Sequence, residues 1–454
     1  MSQNGMLLGV AMGPANGHHP GAWRMPWAEP DAYTDVKSHV RAAQIAERGG
    51  LDYLFYPDRV FIWGDLETGP PIVSIDPVML LAAIANSTTR IGLVPSLSTS
   101  FNEPYSIARQ LRALDVMSHG RAGWNLIPSY EPEAFANYGL PVPSRENKYG
   151  RLYEVIQIVQ ALWASWEREA GSPDKVTGRF ADTSHIRPIN LQGRYVGSRG
   201  PLQIPPSEQG QPVVFMPFAS GAGIQAAGMY ANGIIGMPSS IDESRRQRDM
   251  IRSVAENAGR HADEVKYLSF ATFGLGATEQ EAVERRMALE EAAGIDGRLA
   301  HLSMMLGVHL DARDRDKPLG VVQVQALQAR SGSRQEVLAH RLASEGRTPM
   351  EILGYGVLEQ SPSVVGTPEQ VADMFQEWMD AGVTDGFSIF VDDLHDGFDD
   401  FVDHVVPILR RRGLRPDDYQ GPTLRDHFGL PEQLGPDPRI TDDDGDGRAK
   451  DTEQ

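Results

Sequence analysis

Short apolar segments alternate with longer helical patterns eight times along this chain. The segments are apolar at consecutive positions, which is typical of strands covered by helices rather than of strands with one wet face. Eight strand–helix repeats predict an α/β protein with a (β/α)8 TIM barrel fold. The candidate strands are Leu7–Met12, Asp52–Tyr56, Ile91–Pro95, Ala122–Ile127, Pro212–Met216, Gly233–Gly236, Tyr267–Gly274 and Asp385–Phe390.

The helical patterns between these strands carry recognisable start signals. Thr367 precedes Pro368, for example, and a capping hydroxyl before a proline favours a helix start. An open, doubly wound sheet is the competing architecture, and it is less favoured because no glycine-rich dinucleotide turn follows the first strand. The candidate helices are Asp35–Arg48, Pro77–Asn86, Pro104–Met117, Arg145–Trp166, Ser240–Ala258, Thr278–Ala293, Pro368–Ala381 and Phe398–Arg412.

The length of 454 residues exceeds that of a minimal barrel. We expect a single barrel domain over residues 1–434, with insertions at about 167–211 and 295–355, and an acidic, disordered tail at 435–454. The insertions are either lids over a site or oligomer contacts. Asp442, Asp444 and Asp446 have the spacing of an EF-hand loop, but no helix enters or leaves it, so we expect no calcium site.

The composition excludes several classes of function. A formal net charge of −19 disfavours nucleic acid and anionic membranes as partners. The absence of cysteine excludes disulfides, thiolate metal sites and cysteine nucleophiles, and the histidines show no spacing that predicts a metal site. No secretory signal and no membrane-spanning stretch is recognisable, so we expect a cytoplasmic protein.

Polar residues follow several of the predicted strands, at the end of a barrel where catalysis takes place. Asp58, Ser96 and Asn125 are such residues, and each is either a ligand contact or an ordinary turn residue. The loop around Ser220 and Gly221 is rich in glycine and opens a helix. Helix amides and a serine hydroxyl at that position favour binding of a phosphate, although an ordinary glycine-rich loop has the same pattern.

Other residues near the strand ends have weaker signals. His18 and His19 follow the first strand, and because neighbouring side chains point in different directions only one can face the site; His19 is a weak candidate for a catalytic proton donor. The candidates for a substrate pocket are large apolar side chains, which barrel packing would also explain. They are Phe55, Phe61, Trp63, Met216 and Phe218.

Several motifs, in this order, resemble a known family. They include Gly21–Arg24, Phe55–Asp58, Ser118–Arg121, Lys148–Arg151 and Thr423–His427. Their order and spacing are similar to those of the nitrilotriacetate and dibenzothiophene-sulfone monooxygenases, a branch of the bacterial luciferase-like flavoproteins. The resemblance extends from about Leu7 to Leu430.

The resemblance implies a two-component monooxygenase. A separate flavin reductase would supply reduced FMN, which reacts with O2 to give a flavin peroxide that oxidises or cleaves a small organic substrate. By position, the resemblance assigns flavin binding to Asp58, Ser96, Arg145, Tyr149, Ser220 and Gly221. Arg145 replaces a histidine that is usual in the family, and Met216–Phe218 replaces Gln-Ala-Gly, so the substrate can differ from those of well-known members.

Three alternatives keep the predicted fold. The first is a flavin-dependent lyase or dehalogenating oxygenase, including an enzyme of flavin breakdown. The second is a deazaflavin-dependent oxidoreductase that transfers hydride, and the third is a flavin-binding barrel that stores or senses the cofactor. The insertions favour a homo-oligomer, either a dimer or a tetramer. The sequence does not specify the substrate, nor whether the oxidant forms at flavin C4a or N5.

Overall fold

The protein is described by a computed structural model that covers residues 5–171, 173–219, 221–327 and 333–435. Ser220 and the tail from residue 436 lie outside these described residues. The strands, in chain order, are β1 Leu7–Ala11, β2 Tyr53–Tyr56, β3 Gly92–Ser98, β4 Gly123–Ile127, β5 Leu191–Gln192, β6 Gly197–Ser198, β7 Val213–Pro217, β8 Gly233–Gly236, β9 Lys266–Leu275, β10 Ser363–Gly366 and β11 Gly386–Val391.

The main sheet has the strand order β10-β9-β11-β1-β2-β3-β4-β7-β8, and β9 also pairs with β8. Eight strands therefore form a closed barrel, and the predicted (β/α)8 TIM barrel is confirmed. All eight predicted strands are present. The sequence interpretation missed β10, a ninth strand that pairs in parallel with the end of β9 from Thr272 to Leu275. It also missed the small antiparallel pair of β5 and β6.

Helices follow the barrel strands, and their starts agree with the capping signals. The Thr367 side chain accepts a hydrogen bond from the Gln370 amide, and Pro368 occupies the first turn. The helices are α1 Val36–Arg48, α2 Pro77–Ala85, α3 Pro104–Met117, α4 Pro132–Asn137, α5 Arg145–Ala164, α6 Ala222–Tyr230, α7 Ile241–Asn257, α8 Glu279–Ala292, α9 Ile295–Leu306, α10 Val321–Ala326, α11 Arg334–Ser344, α12 Pro349–Gly354, α13 Pro368–Asp380, α14 Gly397–Asp400, α15 Val406–Arg411 and α16 Leu424–His427.

The two expected insertions differ in structure. The segment at 167–211 contains short 3-10 turns at Arg168–Ala170 and Thr183–His185 and the β5–β6 pair. The segment at 295–355 contains α9 to α12, whose apolar side chains, such as Leu302 and Ile352, form a core cluster of their own. A further 3-10 turn spans Ala262–Glu264, and a π-helical turn at Phe401–Val405 interrupts the predicted helix Phe398–Arg412. The described helices include none that is long and apolar enough to cross a membrane.

Contacts along the chain divide it into two compact units. Unit 1 is Met1–Asp76, Ile234–Met250 and Lys266–Gln420, and unit 2 is Pro77–Gly233, Ile251–Val265 and Gly421–Gln454. The single domain expected from the sequence stays a prediction. The core of each unit contains large aromatic side chains that are almost fully buried, and their burial is a main source of stability.

Aromatic pairs characterise both cores. In unit 1, the Phe375 and Phe387 rings lie 4.5 Å apart, from centroid to centroid. In unit 2, Trp124 and Trp163 meet edge to face at 6.2 Å. The indole N–H groups of this pair donate to the backbone carbonyls of Leu97 and Ala108, so neither polar atom is buried without a partner.

Candidate active site

Unit 1 contains a cavity of about 440 Å³ at the end of the strands from which the loops after β1 and β2 emerge. This volume is in the range that small-molecule sites occupy. Most of its lining is apolar. Its aromatic residues are Trp23, Tyr33, Phe55, Trp63, Phe270 and Phe390.

Three rings form a continuous stack along one wall of this cavity. The His18 and Phe390 rings are stacked with centroids 4.1 Å apart and planes inclined by 17°. Phe390 stacks in turn on Phe270, at 4.4 Å and 18°. Both phenylalanines are only half-buried, although the neighbouring residues of β9 and β11 are buried almost throughout. The cavity is thus walled by exposed aromatic surface.

Two charged side chains of opposite sign line the same cavity, Arg59 and Asp65. The Arg59 guanidinium lies over the Trp63 ring, 4.5 Å from its centroid, in a cation–π contact. The Asp65 carboxylate accepts hydrogen bonds from the Glu67 amide and the Thr68 hydroxyl. The positive charge of Arg59 and the negative charge of Asp65 therefore cancel, and neighbouring residues contact both side chains.

His19 is among the residues that line the cavity, but its side chain is fully buried. Its Nδ1 accepts a hydrogen bond from the Gly21 amide at 3.1 Å, and its Nε2 lies 3.2 Å from Glu290 Oε1. Burial, followed by the charge of Arg286, lowers the pKa of His19 to about 4. The ring is therefore neutral at physiological pH, and both nitrogens already face a partner. This geometry favours a structural role for His19 over proton donation to a substrate.

A buried cluster of charges surrounds Arg286 on α8. The guanidinium contacts three carboxylates: Glu290 at 3.1 Å, Asp392 at 2.5 Å, and Glu359. These contacts outweigh burial and raise the pKa of Arg286, whereas burial raises the pKa of Asp392. The sequence interpretation missed this cluster, because an Arg and a Glu four residues apart on a helix are typical of an exposed face.

Asp58 follows β2 in unit 1 and is half-buried. Burial, and then the nearby charge of Asp76, raises the pKa of Asp58 to about 6. A carboxyl group that titrates near neutrality is characteristic of functional sites. The carboxyl group of Asp58 therefore gains or loses a proton within the physiological range of pH. It can donate a hydrogen bond when protonated and only accepts when ionised.

Unit 2 contains a positively charged site at the start of α6, which we call the cradle. It consists of Gly221, Arg145, Lys148 and Tyr149. The helix is preceded by Gly221, whose φ of +58° is a conformation that side chains disfavour. A Cβ on Gly221 would lie 2.6 Å from the Arg145 guanidinium, and one on Gly223 would lie 2.9 Å from the Tyr149 hydroxyl. Glycine at both positions therefore brings the helix start against Arg145 and Tyr149.

Lys148 is a third member of this cradle, and the sequence interpretation missed it. Its ammonium lies 5.3 Å from the Tyr149 ring, while the Arg145 guanidinium lies 6.0 Å from the same ring. Burial, and then the charge of Arg145, lowers the pKa of Lys148. Two cations near the positive end of a helix form a site that an anion would stabilise. The spacing of Arg145, Lys148 and Tyr149 on one helix face was the available signal.

Ser96 and Asn125 are brought together in unit 2, where they are register partners on β3 and β4. The Asn125 side-chain amide donates to the Ser96 hydroxyl at 2.7 Å, and both residues are buried. The Asn125 Oδ1 atom has no hydrogen-bond partner within the described structure. A buried acceptor without a partner is costly, so this atom is suited to accept from a bound ligand.

The structure places the predicted pocket residues in both units. Phe55 and Trp63 line the cavity of unit 1, whereas Phe61 is half-buried in the same loop and does not line it. Met216 is buried on β7 of unit 2, and Phe218 is half-buried in the turn before α6. The assignment of these five residues to a substrate pocket stays a prediction, as does the flavin role of Ser220.

The luciferase-like monooxygenase family model matches residues 18–385, which is most of the chain. This chain belongs to the luciferase-like monooxygenase family. Its resemblance to the nitrilotriacetate monooxygenase group is confirmed, and the chain is therefore a monooxygenase of this family.

Individual relatives cover nearly the whole chain. It is 35% identical to N-acetyl-S-(2-succino)cysteine monooxygenase of Bacillus subtilis over 427 residues, covering 93% of this chain and 96% of the relative. It is 33% identical to nitrilotriacetate monooxygenase component A of Aminobacter aminovorans, with 91% and 94% covered. A solved structure of riboflavin lyase with modified FMN and the substrate riboflavin has a TM-score of 0.74 at 30% identity, with 94% and 96% covered.

Proposed function

We propose that the protein is a flavin-dependent monooxygenase that uses reduced FMN, supplied by a separate reductase, and O2. The observation that carries the proposal is the cradle in unit 2. At the cradle, the start of α6 lies close to Arg145, Lys148 and Tyr149. Two cations, a phenol hydroxyl and the first amides of a helix together suit the binding of a phosphate monoester. The relative named as component A and the riboflavin lyase solved with modified FMN support it.

The cradle fits the terminal phosphate of FMN rather than the ring. Arg145 would donate to the phosphate oxygens, and Lys148 would balance the remaining charge. The buried Asn125 Oδ1 would accept from an amide or hydroxyl of the flavin, which relieves its lack of a partner. The flavin role of Asp58 stays a prediction.

When bound, reduced flavin supplies two electrons to O2. One oxygen atom enters the substrate, the other leaves as water, and oxidised flavin remains, so the reaction is balanced without a nucleophile from the protein. The residues of this chain would bind and orient the reactants and exclude water. The apolar cavity of unit 1 is the proposed place for the organic substrate.

The phosphate assignment can be tested with two flavins that differ only in the phosphate. We expect Arg145→Met to weaken FMN binding about ten- to a hundredfold, because a charge-assisted hydrogen bond contributes about 1.5–3 kcal/mol. Riboflavin has no phosphate, so its dissociation constant should be unchanged. Both constants can be measured by titration of flavin fluorescence.

The matched control is Arg194→Met. The Arg194 guanidinium also lies over a tyrosine ring of unit 2, 5.3 Å from Tyr195, and it is exposed outside the cradle. This variant should bind both flavins as the parent protein does. If Arg145→Met weakened both flavins equally, or neither, the phosphate would be bound elsewhere.

Oxygen uptake separates this function from its rivals. The proposal expects transfer of one atom of ¹⁸O2 to a substrate. Reduced FMN alone also consumes O2, so uptake is compared with a protein-free control. A deazaflavin-dependent oxidoreductase would leave the control rate unchanged, and a flavin store would change it without forming product. Flavin cleavage is a second candidate, because the structurally similar riboflavin lyase acts on riboflavin. Loss of riboflavin during incubation with reduced FMN and O2 would identify it.

A further inference from the structure

The loop between β2 and α2 is long and irregular. The structure describes every residue from 57 to 76, and none of them belongs to a helix or a strand. Loops of this length in a compact unit are usually lids, binding loops or linkers. We call the segment Trp63–Ile72 the flap. Most of its residues line the cavity of unit 1, namely Trp63, Gly64, Asp65, Thr68, Gly69, Pro70 and Ile72.

The flap is held together by its own hydrogen bonds. The Ile72 amide donates to the Trp63 carbonyl at 3.2 Å, which joins the two ends of the segment. At the tip, the Asp65 carbonyl accepts from the Gly69 amide at 3.0 Å, and the Asp65 carboxylate accepts from the Thr68 hydroxyl at 3.2 Å. A compact loop whose ends are joined in this way is an Ω-loop, a type that is frequently functional. The flap can therefore keep its shape while it moves.

Only weak contacts fasten the flap to the rest of unit 1. Within the part of the chain that the structure describes, no hydrogen bond joins the flap to a residue outside it. The Arg59 guanidinium lies over the Trp63 ring, 4.5 Å from its centroid. The Trp23 indole lies beside Gly69, where a Cβ would be 3.4 Å from Nε1. A movement of the flap therefore breaks no hydrogen bond with its surroundings.

The flap and the residue before it expose large apolar side chains. The exposed fraction is 66% for Ile62, 42% for Trp63 and 55% for Leu66. Apolar surface is less favourable in water than in a buried position, so a second position of the flap that covers it would be stabilised. Gly64 follows Trp63 with a φ of +114°, and a Cβ there would lie 3.8 Å from its nearest neighbour. A glycine in this conformation, with space around it, is suited to act as a hinge.

We propose that the flap is a lid that turns about Gly64 as one unit and closes over the cavity of unit 1. Closure covers Trp63 and separates the cavity from water. This role rests on the function proposed above, which places the organic substrate in the cavity. It goes beyond that function because it assigns the exclusion of water to one segment of the chain.

Fluorine NMR tests the lid without a substrate. The protein is made with 5-fluorotryptophan, and each signal is assigned by its loss in a variant with phenylalanine at that position. We expect relaxation dispersion at Trp63, because lids open and close in microseconds to milliseconds. The fully buried Trp378 of unit 1 is the internal control and should show none. Absence of dispersion at Trp63, or equal dispersion at both positions, would overturn the proposal.

Gly64→Ala tests the hinge and the direction of the movement. A side chain at a φ of +114° strains the observed position, so the ratio of open to closed protein should fall at least about fivefold. Trp63 should then be less accessible to a gadolinium chelate, measured on the same fluorine signal. The matched control is Gly382→Ala in unit 1, with a φ of +66° and open space around it. Unchanged or greater access to Trp63 in Gly64→Ala, or equal changes in both variants, would contradict the lid.

The same samples are titrated with FMN, so that the two proposals fail separately. Absence of FMN binding would contradict the proposed function, whereas the movement of the flap is measured without flavin. FMN binding together with a Trp63 signal that shows no exchange would overturn only the lid.

Discussion

The cavity of unit 1 and the cradle of unit 2 have opposite chemical character. The cavity is apolar, balanced in charge and walled by stacked rings, whereas the cradle gathers Arg145 and Lys148 at the positive end of a helix. Under the proposed function, the cavity would select by shape and by excluding unpaired charge, and the cradle would select by attracting an anion.

The two regions also differ in how deeply their charged side chains are buried. Behind the cavity, Arg286 is buried among Glu290, Glu359 and Asp392. In the cradle, Arg145 is exposed and Lys148 is half-buried. A change behind the cavity should therefore affect folding, and a change in the cradle should affect binding alone.

The largest expected effect concerns Arg286→Met. Removing this guanidinium leaves Asp392 and Glu359 without the cation they pair with, which should lower the free energy of unfolding by about 3–5 kcal/mol. The matched control is Arg285→Met on the same helix, where the exposed side chain pairs with Glu281 and Asp400. We expect it to cost less than about 1 kcal/mol. Urea denaturation measures both, and equal losses would show that burial of the cluster is unimportant.

Gly221→Ala should come next, as a change confined to the cradle. The φ of +58° strains any side chain there, and the new Cβ would displace the Arg145 guanidinium. We expect FMN to bind about tenfold more weakly, with riboflavin little affected. Gly259→Ala, with a φ of +77° and open space around it, controls for backbone strain alone. A loss of riboflavin affinity equal to that of FMN would break the distinction between the two regions.

A smaller effect on riboflavin affinity should follow from a change of pH. Because burial raises the pKa of Asp58 to about 6, the group is ionised above pH 6 and protonated below it. If its carboxylate accepts from the flavin ring, riboflavin affinity should fall several-fold between pH 7.5 and pH 5. Riboflavin is the better probe here, since the phosphate of FMN also titrates near pH 6. Asp58→Asn should remove this dependence, and an unchanged pH profile in the variant would exclude Asp58.

The smallest effect is expected for Arg59→Met in the cavity. The guanidinium lies over Trp63 and is not part of the cradle. Binding of FMN should therefore change less than about twofold, which is within the range of surface substitutions. A tenfold loss would mean that the cavity also binds the anionic phosphate, and the contrast with the cradle would disappear.

The sequence predicted the barrel well because every barrel strand is mostly apolar at consecutive positions and has a helix after it. It missed β10, a four-residue strand at the end of a long helical insertion, where so short a pattern has no distinctive period. The cradle was predicted in part: Gly221, Arg145 and Tyr149 were expected, and Lys148 was not. The Arg286 cluster could not be predicted, because spacing along one helix does not reveal which face is buried by distant carboxylates.

His18 and His19 show the same limit of sequence-based prediction at two neighbouring residues. The sequence indicated that only one of two neighbouring rings could face the site, and it favoured His19. The structure places His18 in the stacked wall and leaves His19 buried between Gly21 and Glu290. Which ring turns outward depends on the partners that tertiary contacts supply, and local sequence does not contain that information.

The most direct test of the account is a crystal structure of the protein with FMN. The account predicts the FMN phosphate within hydrogen-bond distance of the Arg145 guanidinium and the first amides of α6. A phosphate bound away from the cradle would contradict it.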